Sequence, residues 1–147
     1  MKEYRPTAVD VVVIHNNEIL LIKRKKPPFI GRWCLPGGFV EINEDIEHAA
    51  IRETKEETGV DIELLGIIGV YSSPKRDKRH TISIAFLAFP KDNTINLIKN
   101  EEVKEVKWFD LDKVPKLGFD HNEIIKDAIK LYTSMQCHGC EHCIGCE

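Results

Sequence analysis

Between Asp45 and Gly59 the chain carries a stretch that reads as a helix, with acidic residues on the side that ought to pack inward. The stretch is built from strong helix formers, holds no proline or glycine, and has Gly59 where a left-handed C-terminal cap belongs. At about 100° per residue, Ile46, Ala49, Ala50 and Thr54 mark the inward face. Glu53, Glu56 and Glu57 are spaced i, i+3, i+4 and share a face that largely overlaps that of Ile46, Ala49 and Ala50. At an effective dielectric of about 20 and a separation of about 6 Å, each pair of charged carboxylates costs roughly 3 kcal/mol. A solvated acidic face is the ordinary alternative, but small alanines on the same side argue against it. A divalent cation compensates economically, because oxygen-rich sites suit Mg²⁺ or Mn²⁺, and Mg²⁺ commonly joins a few carboxylates to substrate phosphates. Gly37-Gly38, just upstream, would let the backbone approach a ligand or metal closely.

Around this helix the pattern is mixed. Val9, Val11 and Val13 alternate through Thr7–His15 as a strand, Asn16-Asn17 is a turn pair, and Glu18–Lys23 reads as the returning strand. A basic, proline-broken loop follows (Lys23 to Pro28), then a short extended piece from Trp33 to Leu35. Further strands are expected over Ile62–Tyr71, Thr81–Phe89 and Val103–Phe109, and a second helix over His121–Tyr132. That order predicts a mixed α/β (α+β) domain, not a regular alternation of strand and helix.

With 147 residues the chain is one ordinary domain, read as residues 1–134, with a cysteine-rich tail at 135–147. Lys+Arg 21 against Asp+Glu 24 gives a net charge of −3, which argues against bulk capture of nucleic acid or anionic membrane. No apolar run approaches a membrane span, and the first residues lack a signal-peptide stretch, so a cytoplasmic protein is expected.

Residues 38–60 read Gly38, five residues, Glu44, seven residues, then Arg52-Glu53-Thr54-Lys55-Glu56-Glu57-Thr58-Gly59-Val60. This resembles the Nudix box, G-x5-E-x7-R-E-U-x-E-E-x-G-U, with U an aliphatic residue; Thr54 departs from it at an aliphatic position. Trp33 to Glu41, Val106 to Phe109 and Phe119-Asp120-His121 resemble further parts of that superfamily, over roughly residues 5–133. The resemblance implies a mixed β-sheet sandwiched between helices and hydrolysis of a nucleoside diphosphate linked to another moiety. Carried over by position, Glu53, Glu56 and Glu57 are metal ligands, completed by the Gly37 or Gly38 carbonyl. Arg52 orients them, and Glu44 supports the loop–helix junction. The base that activates water varies in the superfamily: Glu57 is one candidate, and Glu101 or Glu102 are others. Cys34 is read as a packed thiol.

Pro74, fifteen residues past Gly59, resembles the marker of the ADP-ribose pyrophosphatase branch. Pro74 to Ser83 is similar to that branch's P-x-R-D-P-R-x-H loop, with Lys78 in place of the proline and one residue missing before His80. Arg76 and Arg79 then bind phosphate or ribose oxygens through forked donors, or else belong to a solvated basic loop. Trp33, Phe39, Tyr71 and Phe119 are candidates to stack on adenine. The resemblance implies Mg²⁺-dependent cleavage of ADP-ribose to AMP and ribose 5-phosphate, with house-cleaning of noncanonical nucleoside triphosphates or a non-hydrolytic ADP-ribose sensor as alternatives. It also implies a small nucleotide as partner and a homodimer.

The tail places Cys137, Cys140, Cys143 and Cys146 at a strict three-residue period, with His138 and His142 between them. The readings are a tail that binds metal opportunistically, a Zn²⁺ site, and an iron–sulfur or redox role.

Overall fold

The computed structural model describes residues 4–92, 95–96 and 100–138. Strands β1 (Thr7–His15) and β2 (Glu18–Arg24) form a hairpin. Its turn residues Asn16 and Asn17 both lie in the left-handed region, at φ 49° and 62°. A two-residue hairpin turn of matching twist needs that conformation, and asparagine tolerates it. There follow β3 (Trp33–Cys34), β4 (Gly37–Phe39), helix α1 (Ile46–Thr58), β5 (Ile62–Tyr71), β6 (Ile82–Pro90), β7 (Val103–Asp110) and helix α2 (His121–His138).

The strands run β3-β2-β1-β6-β5 across the sheet, with β4 also beside β1 and β7 also beside β2. β1 runs parallel to β6, from Thr7 opposite Ile82 to Val13 opposite Ala88, while the other pairings are antiparallel. The two helices cover opposite faces. Val9, Val11, Val13 and Leu20 pack with Ala49 and Ala50 of α1. Val12, Ile14 and Leu21 pack with Ile124, Ile125 and Ala128 of α2. The mixed sheet between helices is therefore as expected, and the β1 strand read from its valines is buried on both sides. Each such side chain contributes about 1.5–3 kcal/mol by leaving water, which makes β1 the spine of the molecule.

Several elements differ from the sequence reading, β6 and β7 by single residues at their ends. β4 is a three-residue strand of Gly-Gly-Phe, invisible to propensity and made only by pairing with Ala8–Asp10. α2 continues past Tyr132 to His138, because nothing between the two breaks a helix. β2 extends one residue further, to Arg24. Among the described residues no helix is long and apolar enough to cross a membrane.

Candidate active site

Helix α1 begins at Asp45, whose carboxylate accepts the His48 N–H at 2.8 Å as an N-cap, and ends at Gly59 with φ 77°. Thr54, the residue out of keeping with an aliphatic position, is fully buried and donates its hydroxyl to the Ala50 carbonyl at 2.8 Å. That bond satisfies the group locally, so a polar residue fits the packed face.

The acidic residues divide along the helix. Glu57 is buried at 4 % exposure beside Ala49, Ala50 and Thr54. Glu53 is half-buried and Glu56 points outward, so the shared face is a wedge running from the core to solvent. Arg52 is the hub of that wedge. It grips Glu44 with two bonds (Nε to Oε2 2.6 Å, Nη2 to Oε1 2.9 Å) and donates Nη1 to Glu53 at 2.8 Å and to Glu56 at 3.2 Å. Its Nη2 also reaches the Phe39 carbonyl at 3.1 Å, tying the Gly38–Glu44 loop to the helix. The Arg52 hydrogen bonds hold the Glu44 carboxyl down to about 2.

Glu57 is met from the other side by the Gly37 N–H at 2.7 Å. Gly38 lies directly against the Glu53 carboxylate, where a Cβ would collide with it. Burial, resisted by Arg52 and reinforced by Glu56 and Glu102, pushes Glu53 up to about 7. Burial also pushes Glu57 well above its ordinary value; Gly37 opposes this while Glu53 and Glu102 add to it. The bound arginine therefore does not neutralise the cluster. Among the described residues no three acidic, histidine or cysteine side chains are already drawn into a closed metal cage. Their chemistry nonetheless fits a hard divalent cation: oxygen donors, excess negative potential, and a backbone brought close at Gly38.

Glu53, Glu56, Glu57 and Glu102 line one wide cleft of about 930 Å³, with Lys26 and Arg52 at its border. Glu101 opens to solvent, with Lys26 3.9 Å away. A narrower pocket adjoins it across Gly37 and Gly38, lined by Phe39, Phe119, Arg24 and Arg79. There the Arg79 guanidinium lies over both rings, 5.1 Å from the Phe39 centroid and 5.5 Å from that of Phe119. Trp33 and Tyr71 go elsewhere: Trp33 packs edge-on against Phe109, and the Tyr71 hydroxyl donates to Asp127 at 2.7 Å.

The loop from Pro74 to Thr81 is organised from within. Asp77, buried, accepts the Arg79 N–H at 2.8 Å and the Thr81 hydroxyl at 2.6 Å. Arg76 sits beneath, with its side chain 3 % exposed, and spends its fork on Asp120 (3.0 and 2.9 Å), with a further bond to Thr81. Of the two arginines the sequence paired as phosphate ligands, Arg79 is therefore presented to the pocket and Arg76 is a buried pillar at its floor. Pro74 lies on the outer side of this loop, and its carbonyl is 3.0 Å from His80 Nδ1. Cys34 is buried, and burial pushes its thiol up to about 12, so it is a packing residue and not a nucleophile. Cys137 lies on the last turn of α2. Its side chain, and Cys140, Cys143 and Cys146, lie outside the described residues.

Residues 4–128 match the profile of the NUDIX domain. The chain belongs to the Nudix hydrolase family. The Nudix chain is 46% identical over 136 residues to a protein from Methanocaldococcus jannaschii named ADP-ribose pyrophosphatase, across 88% of this chain and 79% of that one. Over 78 residues it is 45% identical to a Bacillus subtilis protein named putative 8-oxo-dGTP diphosphatase, across 52% of this chain and 50% of the other. Its fold is similar to that of the NUDIX domain of Shewanella oneidensis NrtR, solved with ADP ribose, at TM-score 0.75 and 29% identity, covering 89% of this chain and 90% of that one.

Two groups beside the Nudix box escaped the sequence reading. Asp10 stands in the middle of a valine run, and a carboxylate there was the signal that the strand buries a charge for a reason. Arg24 looked like part of a basic loop, but its guanidinium lies 5.2 Å from the Phe119 centroid and donates to Pro28 O at 2.6 Å.

A carboxyl whose folded-state pKa is raised loses stability as pH climbs from its unfolded value toward its folded one, because the unfolded chain binds fewer protons in that window. For Glu53 the window runs from 4.5 to about 7. Magnesium is therefore expected to raise Tm by several degrees at about pH 8 and by little at about pH 5. Differential scanning fluorimetry measures this, and equal shifts at the two pH values would contradict it.

Proposed function

We propose that this Nudix hydrolase is a Mg²⁺-dependent ADP-ribose pyrophosphatase yielding AMP and ribose 5-phosphate. The observation that carries the reading is the placement of an uncompensated carboxylate cleft directly beside a pocket walled by Phe39 and Phe119 and crossed by Arg79. A diphosphate and its nucleoside require these two environments side by side. The Methanocaldococcus relative and the ADP-ribose-bound Shewanella domain support the choice of ligand.

Glu53, Glu56, Glu57 and the Gly38 carbonyl would hold the metal. When bound, Mg²⁺ offsets the charge of the diphosphate and makes a coordinated water more acidic. Arg52 keeps Glu53 and Glu56 aimed into the cleft. Glu57, or Glu102 or Glu101 from the facing loop, would take the water's proton as it attacks one phosphorus and the bridging oxygen leaves on the other phosphate. Phe39 and Phe119 stack on adenine, and Arg79 donates to phosphate or ribose oxygens. The apolar strip of edge strand β5 (Leu65, Ile67, Val70, all exposed) supports a homodimer. Zinc binding by Cys137, Cys140, Cys143 and Cys146 rests on their spacing.

Incubation of the purified chain with ADP-ribose and Mg²⁺ should release AMP and ribose 5-phosphate in equal amounts, read by anion-exchange chromatography. Higher kcat/KM on modified deoxynucleoside triphosphates, with pyrophosphate released, would move the assignment to the house-cleaning reading that the Bacillus relative supports. Tight binding of intact ADP-ribose without turnover under any divalent metal would move it to a sensor.

A further inference from the structure

The segment Leu35-Pro36-Gly37-Gly38 brings the backbone to the carboxylates, and its own fixation decides where they meet it. Pro36 has no N–H, so Leu35 and Gly37 carry the donors that flank the turn. Both donate to side chains. The Gly37 N–H goes to Glu57 Oε1 at 2.7 Å, and the Leu35 N–H goes to His121 Nδ1 at 3.0 Å, a buried contact between residues 86 apart in sequence. An N–H aimed at Nδ1 leaves that nitrogen as an acceptor, so the ring's proton lies on Nε2, which faces Asp10 Oδ1 at 3.2 Å. Asp10 in turn accepts the Ser83 hydroxyl and has Arg76 Nη2 at 3.5 Å. His121 is 2 % exposed and stacks on Phe119 at 4.9 Å, so the ring has a single orientation available. It is fixed in space by α2, whose first residue it is, and by the Gly118 N–H on the Trp33 carbonyl at 3.0 Å.

We propose that His121 is a positioning residue of the hydrolytic centre: its Nδ1 anchors Leu35 and thereby holds the Gly37 N–H on Glu57. The kinetic part of this inference rests on the hydrolase reading above; the structural part does not. The same ring, through Asp10 and Arg76, joins the carboxylate cleft to the loop that presents Arg79, so both halves of the site are braced against one buried side chain.

Two amide substitutions separate the two ring nitrogens. His121→Asn places an acceptor where Nδ1 stood and keeps the Leu35 bond, whereas His121→Gln places a donor where Nε2 stood and keeps the Asp10 bond. The expected result is that His121→Asn, which gives up the Asp10 contact, loses activity mainly through KM, with kcat within about threefold and the Gly37 amide resonance of ¹⁵N-labelled full-length protein in place. His121→Gln should lower kcat about 10- to 100-fold with KM changed by less than about threefold, and should shift the Gly37 amide upfield. Equal kcat losses in both variants or, in His121→Gln, a loss in KM alone or an unmoved Gly37 resonance would overturn the proposal. If the wild-type chain cleaves no nucleotide, the hydrolase reading fails separately and the Gly37 resonance alone decides this one. It also decides alone, in His121→Gln, should His121→Asn not fold.

Discussion

Replacing Glu57 with glutamine is expected to lower kcat by about three orders of magnitude while leaving the protein as stable as before, or more so, above neutral pH. The two halves of that expectation come from one geometry. Glutamine keeps an oxygen for the Gly37 N–H at the position where Glu57 accepts it at 2.7 Å, so the fold loses no bond. It removes a negative charge that burial and the neighbouring Glu53 and Glu102 make costly, so the metal-free protein is relieved of strain. What disappears is the anionic oxygen available to a cation or a proton. Steady-state kinetics with Mg²⁺ and a urea titration at about pH 8 measure both. Undiminished turnover would remove the carboxylate cluster from the chemistry; lost turnover with lost stability would make Glu57 a structural residue.

Arg76→Leu should have the largest effect on stability, a loss of about 3–5 kcal/mol in urea unfolding. Its guanidinium faces Asp10, Asp77 and Asp120, whose side chains are 11%, 1% and 18% exposed. Against burial, the His121 and Ser83 contacts and Arg76 hold the Asp10 carboxyl below its ordinary value. Removing the arginine leaves Asp10 and Asp120 without their shared counter-ion and Asp77 with Arg79 alone. Stability within about 1 kcal/mol of wild type, together with a KM raised tenfold, would instead make Arg76 a direct ligand of the substrate. Arg79→Ala is the natural companion, because that side chain is 39% exposed and anchored to a single carboxylate, Asp77.

How far the chain could be read without its structure depends on how local each feature is. The Asn16-Asn17 hairpin and the capped helix are written in consecutive or helically spaced residues, so spacing placed them, and the box was placed by its resemblance to the family motif. The division of the glutamates was less legible, since overlap of two helical faces does not say which residue the sheet covers; Glu57 is buried and Glu56 is not. Arg76 shows the limit more sharply. In a run of basic residues beside a proline it resembles a phosphate ligand, and only the fold brings Asp120, 44 residues away, against its fork. β4 is illegible for the same reason, being a strand solely because β1 passes beside it.

The parallel pairing of β1 with β6 sets the order in which the molecule can assemble. Its register joins Thr7–Val13 to Ile82–Ala88, so the central strand finds its permanent neighbour only once the chain as far as Ile82–Ala88 has been synthesised. Until then the valines of β1 have one edge unsatisfied, and the helix bearing the glutamates has no finished surface to dock on. A nascent chain still on the ribosome with residue 80 at the exit is therefore incapable of building the carboxylate cleft, and truncations shorter than β6 should be captured by chaperones instead of folding.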